Sequence, residues 1–125
     1  MDTQIRTGGC QCGAVRYEVR GEPLKSGLCH CTDCRKITGS VFLAFADWHR
    51  HQFTVSGAFE TYIGRSFCPK CGSRLFNLTD TAAEIYIGTL DDAPNAIAPQ
   101  FEEWCIRREP WLPTLPGTPM YPREP

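Results

Sequence analysis

Seven of the eight cysteines fall into three short clusters, and this clustering constrains the fold more than any other feature of the sequence. They form two outer pairs, Cys10 with Cys12 and Cys68 with Cys71, and a middle triplet, Cys29, Cys31 and Cys34. Four thiolates complete a tetrahedral zinc site, whereas three leave one coordination position open for catalysis. The sequence therefore predicts two zinc ions per chain, a structural one held by the outer pairs and a catalytic one held by the triplet.

Eight cysteines in 125 residues also allow a disulfide framework, so the compartment matters. The stretch from Met1 to Gly9 is polar and lacks the apolar core of a secretory signal, and no segment has the length of an apolar membrane span. We therefore expect a cytoplasmic protein. In that reducing compartment clustered thiols bind metal more often than they form disulfides, so we expect metal ligation. Reduced cysteine pairs without metal are the remaining alternative.

Composition narrows the class of protein. A hydrophobic content of 42% and a charged content of 22% fit a folded domain rather than a disordered chain, and the length favours a single domain over residues 1–125. The formal net charge is only −1. This balance does not indicate a nucleic-acid partner or a membrane surface, so we expect neither.

Short apolar or alternating runs, separated by glycine, proline and polar turns, indicate strands. They cover residues 14–20, 41–46, 53–55, 59–63, 74–78, 84–87 and 101–107. One or two helical turns are expected at 32–38, with Thr32 or Asp33 as N-cap and Gly39 at the end. From Pro110 onward six prolines predict an extended tail, either mobile or laid along the surface. The pattern predicts a mainly β protein.

Three polar residues beside the triplet are possible substrate contacts. His30 lies between two predicted metal ligands, Cys29 and Cys31. It can contact substrate, donate a hydrogen bond to a metal-bound cysteine without binding the metal itself, or serve as a structural histidine. Arg35 and Lys36 follow the triplet and can bind the carboxylates of an anionic thiol, although balancing the thiolate charge is the slightly favoured role.

Other candidate ligands are less favoured. Cys105 lies between Trp104 and Ile106, where a free cysteine usually behaves as a small hydrophobic residue rather than as a fourth ligand. His49 and His51 lie in a polar segment and are expected at the surface.

An open zinc site suits thiol chemistry. Zinc binds an incoming thiol as thiolate and polarises a carbonyl oxygen, and both effects favour the addition of a thiol to an aldehyde. The sequence therefore favours an enzyme, a zinc-dependent carbon–sulfur lyase or synthase acting on a thiol adduct. Two alternatives stay open: a non-enzymatic zinc module that binds a protein or nucleic-acid partner, and a thiol redox sensor built on the triplet.

Three motifs in this order resemble a known family. They are residues 9–17 (GCQCGAVRY), residues 29–36 (CHCTDCRK, followed by Gly39 and Ser40) and residues 67–73 (FCPKCGS). Near the end, Trp104 and residues 110–112 (PWL) are similar to its closing segment. The family is the glutathione-dependent formaldehyde-activating enzymes and their centromere protein V relatives.

The resemblance implies a zinc-bound fold of coiled antiparallel sheets. It also implies the same division of ligands, with a structural zinc at Cys10, Cys12, Cys68 and Cys71 and a catalytic zinc at Cys29, Cys31 and Cys34. The implied reaction joins glutathione and formaldehyde into S-hydroxymethylglutathione. The natural thiol, the aldehyde and the oligomeric state stay open at this point.

Overall fold

The computed structural model describes residues 4–125, so the first three residues of the polar stretch 1–9 lie outside the described residues. The described strands are β1 Ile5–Gly9, β2 Arg16–Arg20, β3 Lys25–Cys29, β4 Leu43–His49, β5 Phe53–Ser56, β6 Glu60–Tyr62, β7 Arg65–Phe67, β8 Arg74–Leu78, β9 Ala82–Tyr86 and β10 Glu102–Glu103. One α-helix, α1, spans Thr32–Thr38, and single 3₁₀ turns occur at Arg50–Gln52, Ile87–Thr89 and Cys105–Arg107. Within this range, no helix combines the length and apolar content needed to cross a bilayer.

Over residues 4–125 the strands form two sheets. The small sheet has the order β1-β2-β5 and is antiparallel throughout. The large sheet has the order β10-β3-β4-β9-β8-β7-β6, in which only β10 and β3 are parallel. The mainly β fold with antiparallel sheets and one short helix is therefore confirmed.

The large sheet has two different faces because successive side chains of a strand alternate. One face shares a buried cluster with the small sheet. This cluster includes Trp48, Phe76 and Ile85 of the large sheet and Tyr17 and Phe53 of the small one. The opposite face carries a second cluster, in which Cys29, Leu43, Phe45 and Tyr86 pack against Ile37 of α1 and against Phe101 and Trp104. The triplet therefore lies on the outer face of the large sheet, opposite the face that packs against the small sheet.

Strand β1 is not predicted by the sequence pattern, since Gly8 and Gly9 have low strand propensity. In the structure Gly8 lies opposite Tyr17, and a Cβ at Gly8 would lie 2.4 Å from the Tyr17 hydroxyl oxygen. The Tyr17 hydroxyl in turn forms a 2.7 Å hydrogen bond with Oγ1 of Thr89. The glycine is therefore required by packing across the sheet, which local propensity does not report.

Two predicted strand boundaries are wrong. The run at 41–46 ends before Asp47 in the sequence pattern, whereas β4 continues through Asp47 to His49. It continues because Trp48 is completely buried in the core while Asp47 points to the other face. The strand predicted at 101–107 exists only at Glu102–Glu103, since Trp104 has a φ of 59° and the next residues form a 3₁₀ turn. Ile106 is consequently half exposed.

Strands β5 and β6 follow one another in sequence but lie in different sheets. The chain crosses between the sheets at Gly57, whose φ is 93°. A Cβ at this position would lie 1.9 Å from the Ala14 carbonyl oxygen, so only glycine fits the crossing.

The proline-rich tail lies along the protein surface, which is one of the two predicted alternatives. The Glu102 amide donates to the Pro119 carbonyl and the Tyr121 amide donates to the Glu102 carbonyl, both at 2.9 Å. The Trp104 amide donates to the Arg123 carbonyl at 3.1 Å. These bonds hold the tail against β10 at the edge of the large sheet.

Candidate metal centres and the adjoining cleft

The outer cysteine pairs meet where two turns approach each other. Cys10 and Cys12 lie after β1, and Cys68 and Cys71 lie in the turn between β7 and β8. All four Sγ atoms lie within 4.8 Å of one another. The Sγ–Sγ distances are 3.5 Å for Cys10–Cys12 and 3.7 Å for Cys12–Cys68.

These distances suit a tetrathiolate metal centre. A tetrahedron of Zn–S bonds near 2.3 Å places sulfurs about 3.8 Å apart, whereas a disulfide requires about 2.05 Å. Backbone amides also point at the sulfurs, with Val15 N 3.2 Å from Cys10 Sγ and Lys70 N 3.4 Å from Cys68 Sγ. Hydrogen bonds from Ser73 lower the pKa of Cys71 to about 5. Cys71 is therefore stabilised as a thiolate, the form in which cysteine binds metal.

The middle triplet converges where β3 runs into α1. Cys29 ends β3, Cys31 is the N-cap of α1 and Cys34 lies in its first turn. Their Sγ atoms all lie within 4.8 Å of one another. The predicted helix and its end at Gly39, with a φ of 68°, are confirmed.

The prediction of Thr32 or Asp33 as N-cap is wrong. The cap is Cys31, whose Sγ accepts a 3.4 Å hydrogen bond from the Cys34 amide. A thiol was not expected there because the usual capping residues carry oxygen. One cysteine thus contributes both to the helix start and to the sulfur cluster.

The triplet can lose a proton near neutral pH. The hydrogen bond from the Cys34 thiol lowers the pKa of Cys29 to about 7, although burial opposes this effect. The same hydrogen bond raises the pKa of Cys34. Ionisation of the triplet therefore begins at Cys29.

Among residues 4–125, no fourth cysteine, histidine or carboxylate lies within 4.8 Å of all three sulfurs of the triplet. Cys105, the weaker candidate for this position, groups instead with His30 and Glu102. The donor set of the triplet fits an ion with one position left for another ligand, and the set of four fits a closed site.

A cleft of about 420 Å³ lies beside the triplet. Its lining residues outside the triplet come from α1, from the large sheet and from the C-terminal segment. They include Arg65, Asn77, Glu84, Glu103, Trp104 and Arg107. This volume lies within the range of small-molecule sites, so the cleft can receive a ligand next to the sulfurs.

A row of polar residues crosses the large sheet on the cleft face. Each member lies directly opposite the next on the neighbouring strand. In strand order β3, β4, β9, β8 and β7, the row is Lys25, Asp47, Glu84, Asn77 and Arg65. Its last three members line the cleft and form a polar boundary on the sheet side of the site.

The predicted substrate contacts do not line this cleft. His30 is completely buried and its Nε2 donates to Glu102 Oε1 at 2.7 Å. Arg35 donates to the Glu109 carboxylate at 2.6 Å and to the Arg107 carbonyl at 3.0 Å. The role of these residues and of Lys36 in substrate binding stays a prediction.

The structure adds Arg65 and Glu84 to the candidate site, although the sequence reasoning named neither. The signal for Glu84 was a carboxylate in the middle of an otherwise apolar strand, since Glu is depleted in strands. No local signal marks Arg65, because only strand pairing brings it to the cleft. His49 and His51 are exposed, as predicted.

The fold and the two sulfur clusters define a β protein with two sites suited to metal. The chain matches the glutathione-dependent formaldehyde-activating enzyme family over residues 5–107 and belongs to that family. The family expected from the three motifs is thus confirmed.

Two similar proteins extend this comparison. An uncharacterized lyase of Schizosaccharomyces pombe is 30% identical over 74 residues, covering 55% of this chain and 54% of the relative. The chain thus spans about half the length of this curated relative. A crystal structure of a Rhodobacter sphaeroides protein matches with a TM-score of 0.56 and 20% identity, covering 74% of this chain and 96% of that one. At this identity the likeness shows the fold alone.

Proposed function

We propose that the protein is a zinc-dependent carbon–sulfur lyase or synthase acting on a thiol adduct, with S-hydroxymethylglutathione formation from glutathione and formaldehyde as the leading reaction. Family membership and the lyase name of the yeast relative support this proposal. The observation that carries it is the convergence of three thiols, without a fourth ligand at the same distance among the described residues, beside a cleft of about 420 Å³.

Thiolate-rich donor sets favour zinc among the common metals. We assign the structural ion to Cys10, Cys12, Cys68 and Cys71, and the catalytic ion to Cys29, Cys31 and Cys34. When bound at the triplet, the ion supplies Lewis acidity toward a carbonyl oxygen and favours the thiolate form of an incoming thiol.

The side chains of the cleft can bind and orient an anionic thiol. Glutathione carries two carboxylates, and the guanidinium groups of Arg65 and Arg107 line the cleft. Leu43, Phe45 and Trp104 supply apolar walls beside the triplet. A thiol held in this way would place its sulfur near Cys29, Cys31 and Cys34.

The test is NMR exchange spectroscopy of glutathione with formaldehyde, with and without the zinc-loaded protein. We expect exchange between free thiol and hydroxymethyl adduct to accelerate, and we expect a metal assay to return two ions per chain, one removed more readily than the other. A single tightly held ion with no acceleration would refute the proposal.

A thiol redox sensor is the second candidate, because the low pKa of Cys29 gives it thiolate character near neutral pH. Mild peroxide would then join triplet sulfurs in a reversible disulfide and release zinc. Retention of both ions under that treatment would exclude this candidate. Acceleration of the exchange reaction separates the enzyme from a zinc module that only binds a partner.

A further inference from the structure

Glu84 lies on β9, an interior strand of the large sheet, and its side chain points toward the cleft. Its neighbours in β9, Ala83 and Ile85, are both completely buried in the core on the opposite face. The alternation of the strand therefore turns Glu84 to the face that carries Cys29. Both Glu84 and Cys29 line the same cleft.

The surroundings of Glu84 leave its carboxyl group without a fixed partner. Of the described residues, none donates a hydrogen bond to it, although Asp47 and Asn77 lie directly opposite on the adjacent strands. Asp47 forms its own 3.8 Å ion pair with Lys25 and does not line the cleft. Glu84 is thus the member of this carboxylate pair that a bound ligand can reach.

Burial, together with neighbouring negative charges, favours the protonated form of Glu84. Burial raises its pKa to about 7, with further increases from Asp47 of β4, Cys29 of β3 and Glu103 of β10, opposed by Arg65 of β7. A carboxyl group that titrates near neutral pH both accepts and releases a proton under the conditions in which the protein works.

We propose that Glu84 is the acid–base group of the cleft and carries one proton during the addition of a thiol to formaldehyde. This inference rests on the proposed function. The Glu84 carboxylate accepts the thiol proton, and the sulfur electron pair forms the carbon–sulfur bond. The π electrons of the carbonyl group move to its oxygen, and Glu84 gives the same proton to that oxygen. The product is the hydroxymethyl thioether, and Glu84 returns to its starting form.

The experiment compares the wild-type protein with Glu84→Gln, Glu84→Asp and the control Glu60→Gln, which alters an exposed carboxylate of β6. Exchange between glutathione, formaldehyde and the adduct is measured by NMR at several pH values on both sides of neutral. We expect Glu84→Gln to lower the rate constant by about 100-fold or more and to remove the pH dependence centred near 7. Glu84→Asp should recover part of the rate with a shifted pH profile, and Glu60→Gln should behave as wild type.

A second measurement does not depend on activity. Carbon-13 NMR of the glutamate carboxyl groups in the zinc-loaded protein should show a signal that titrates well above the ordinary value of 4.5 and is absent in Glu84→Gln. This measurement on wild type decides the matter even if Glu84→Gln fails to fold, because a midpoint near the ordinary value of 4.5 would overturn the inference.

The outcomes separate the two proposals. If wild type accelerates the exchange and Glu84→Gln is equally active, the inference about Glu84 is wrong and the proposed function stands. If wild type itself gives no acceleration, both the proposed function and the inference fail.

Discussion

At the scale of single residues, Cys31 links the start of α1 to the sulfur cluster. Its Sγ accepts the Cys34 amide at 3.4 Å and lies within 4.8 Å of the other two sulfurs. A serine in its place would keep the cap, since serine is among the preferred N-cap residues. It would not replace the thiolate, because a hydroxyl group stays protonated and binds zinc poorly.

We therefore expect Cys31→Ser to lose activity without losing the fold. Zinc content should fall from two ions to one per chain, acceleration of the exchange reaction should vanish, and the melting temperature should change by a few degrees at most. Metal analysis and thermal unfolding by circular dichroism measure these quantities. The control is Cys105→Ser, which changes a cysteine outside both clusters and should keep two ions. Full activity of Cys31→Ser would contradict the assignment of the triplet.

Arg65 and Arg35 give opposite expectations for substrate binding. Arg65 lines the cleft, and its guanidinium makes only long contacts, 3.5 Å to the Ile63 carbonyl and 4.0 Å to the exposed Asp33 carboxylate. Arg35, in contrast, is already paired with Glu109 at 2.6 Å. We expect Arg65→Gln to raise KM for glutathione about tenfold or more with little change in kcat, since a hydrogen bond to a charged group contributes about 1.5–3 kcal/mol. Arg35→Gln should leave KM unchanged in the same steady-state assay. The reverse result would restore the sequence-based prediction for Arg35.

The contrast between these arginines shows what the sequence can and cannot predict about the site. The spacing of the cysteines is local, so the three cysteine clusters can be recognised from the sequence itself. Arg35 is a natural suggestion because it follows Cys34 directly, but its side chain turns toward the C-terminal segment. Arg65 and Glu84 reach the cleft through pairing of β7, β8 and β9, and no local pattern contains that information.

At the scale of secondary-structure elements, the two-residue strand β10 is held by a buried ionic cluster. The Glu102 side chain is completely buried, and its Oε1 accepts from His30 Nε2 at 2.7 Å and from Arg108 Nε at 2.9 Å. Burial alone would raise the pKa of Glu102, but these two donors lower it below its usual value. The cluster therefore ties β10 and the following turn to the residue between two triplet cysteines.

We expect Glu102→Gln to lower the free energy of unfolding by roughly 3 kcal/mol, because it leaves the largely buried Arg108 guanidinium without its carboxylate. Urea unfolding followed by circular dichroism gives this value. The matched control is Glu22→Gln, whose carboxylate is 63% exposed in a 3.4 Å pair with Arg6 and should contribute less than about 1 kcal/mol. Equal stability of the two variants would show that the buried cluster is not stabilising.

The elements themselves were predictable where side-chain alternation is strong and poorly predictable where long-range packing decides. Strand β2 alternates between exposed and buried residues as its sequence indicates. Strand β1 depends on the approach of Tyr17 to Gly8, and the last strand is cut short by the left-handed backbone of Trp104. The residues that neighbour Gly8 and Trp104 in the sequence do not indicate either of these features.

At the scale of the whole molecule, the tetrathiolate cluster connects the two sheets. Cys10 and Cys12 follow β1 of the small sheet, while Cys68 and Cys71 lie between β7 and β8 of the large one. The mainly β class follows from the many short strand signals, but the strand order does not, since neighbours such as β4 and β9 are more than thirty residues apart. The cysteine spacing, in contrast, already indicated that the beginning and the middle of the chain meet at one sulfur cluster.

Removal of a ligand from this cluster should therefore affect the entire fold. Cys68 is completely buried, and its Sγ lies 3.7 Å from Cys12 Sγ across the junction of the sheets. A structural zinc contributes on the order of 10 kcal/mol in small modules, which is comparable with the total stability of a domain. We expect Cys68→Ser, or treatment of wild type with a strong chelator, to abolish the dispersed amide spectrum in two-dimensional NMR.

The same measurement on Cys31→Ser provides the matched comparison, because that variant removes one thiol from the other cluster and should keep a dispersed spectrum. If the outer cluster is structural and the triplet is catalytic, as proposed, Cys68→Ser loses the fold and Cys31→Ser loses only the catalytic ion. A folded Cys68→Ser with the wild-type melting temperature would contradict this division. It would mean that the apolar core between the sheets, formed around Trp48 and Tyr17, holds the molecule together without the metal.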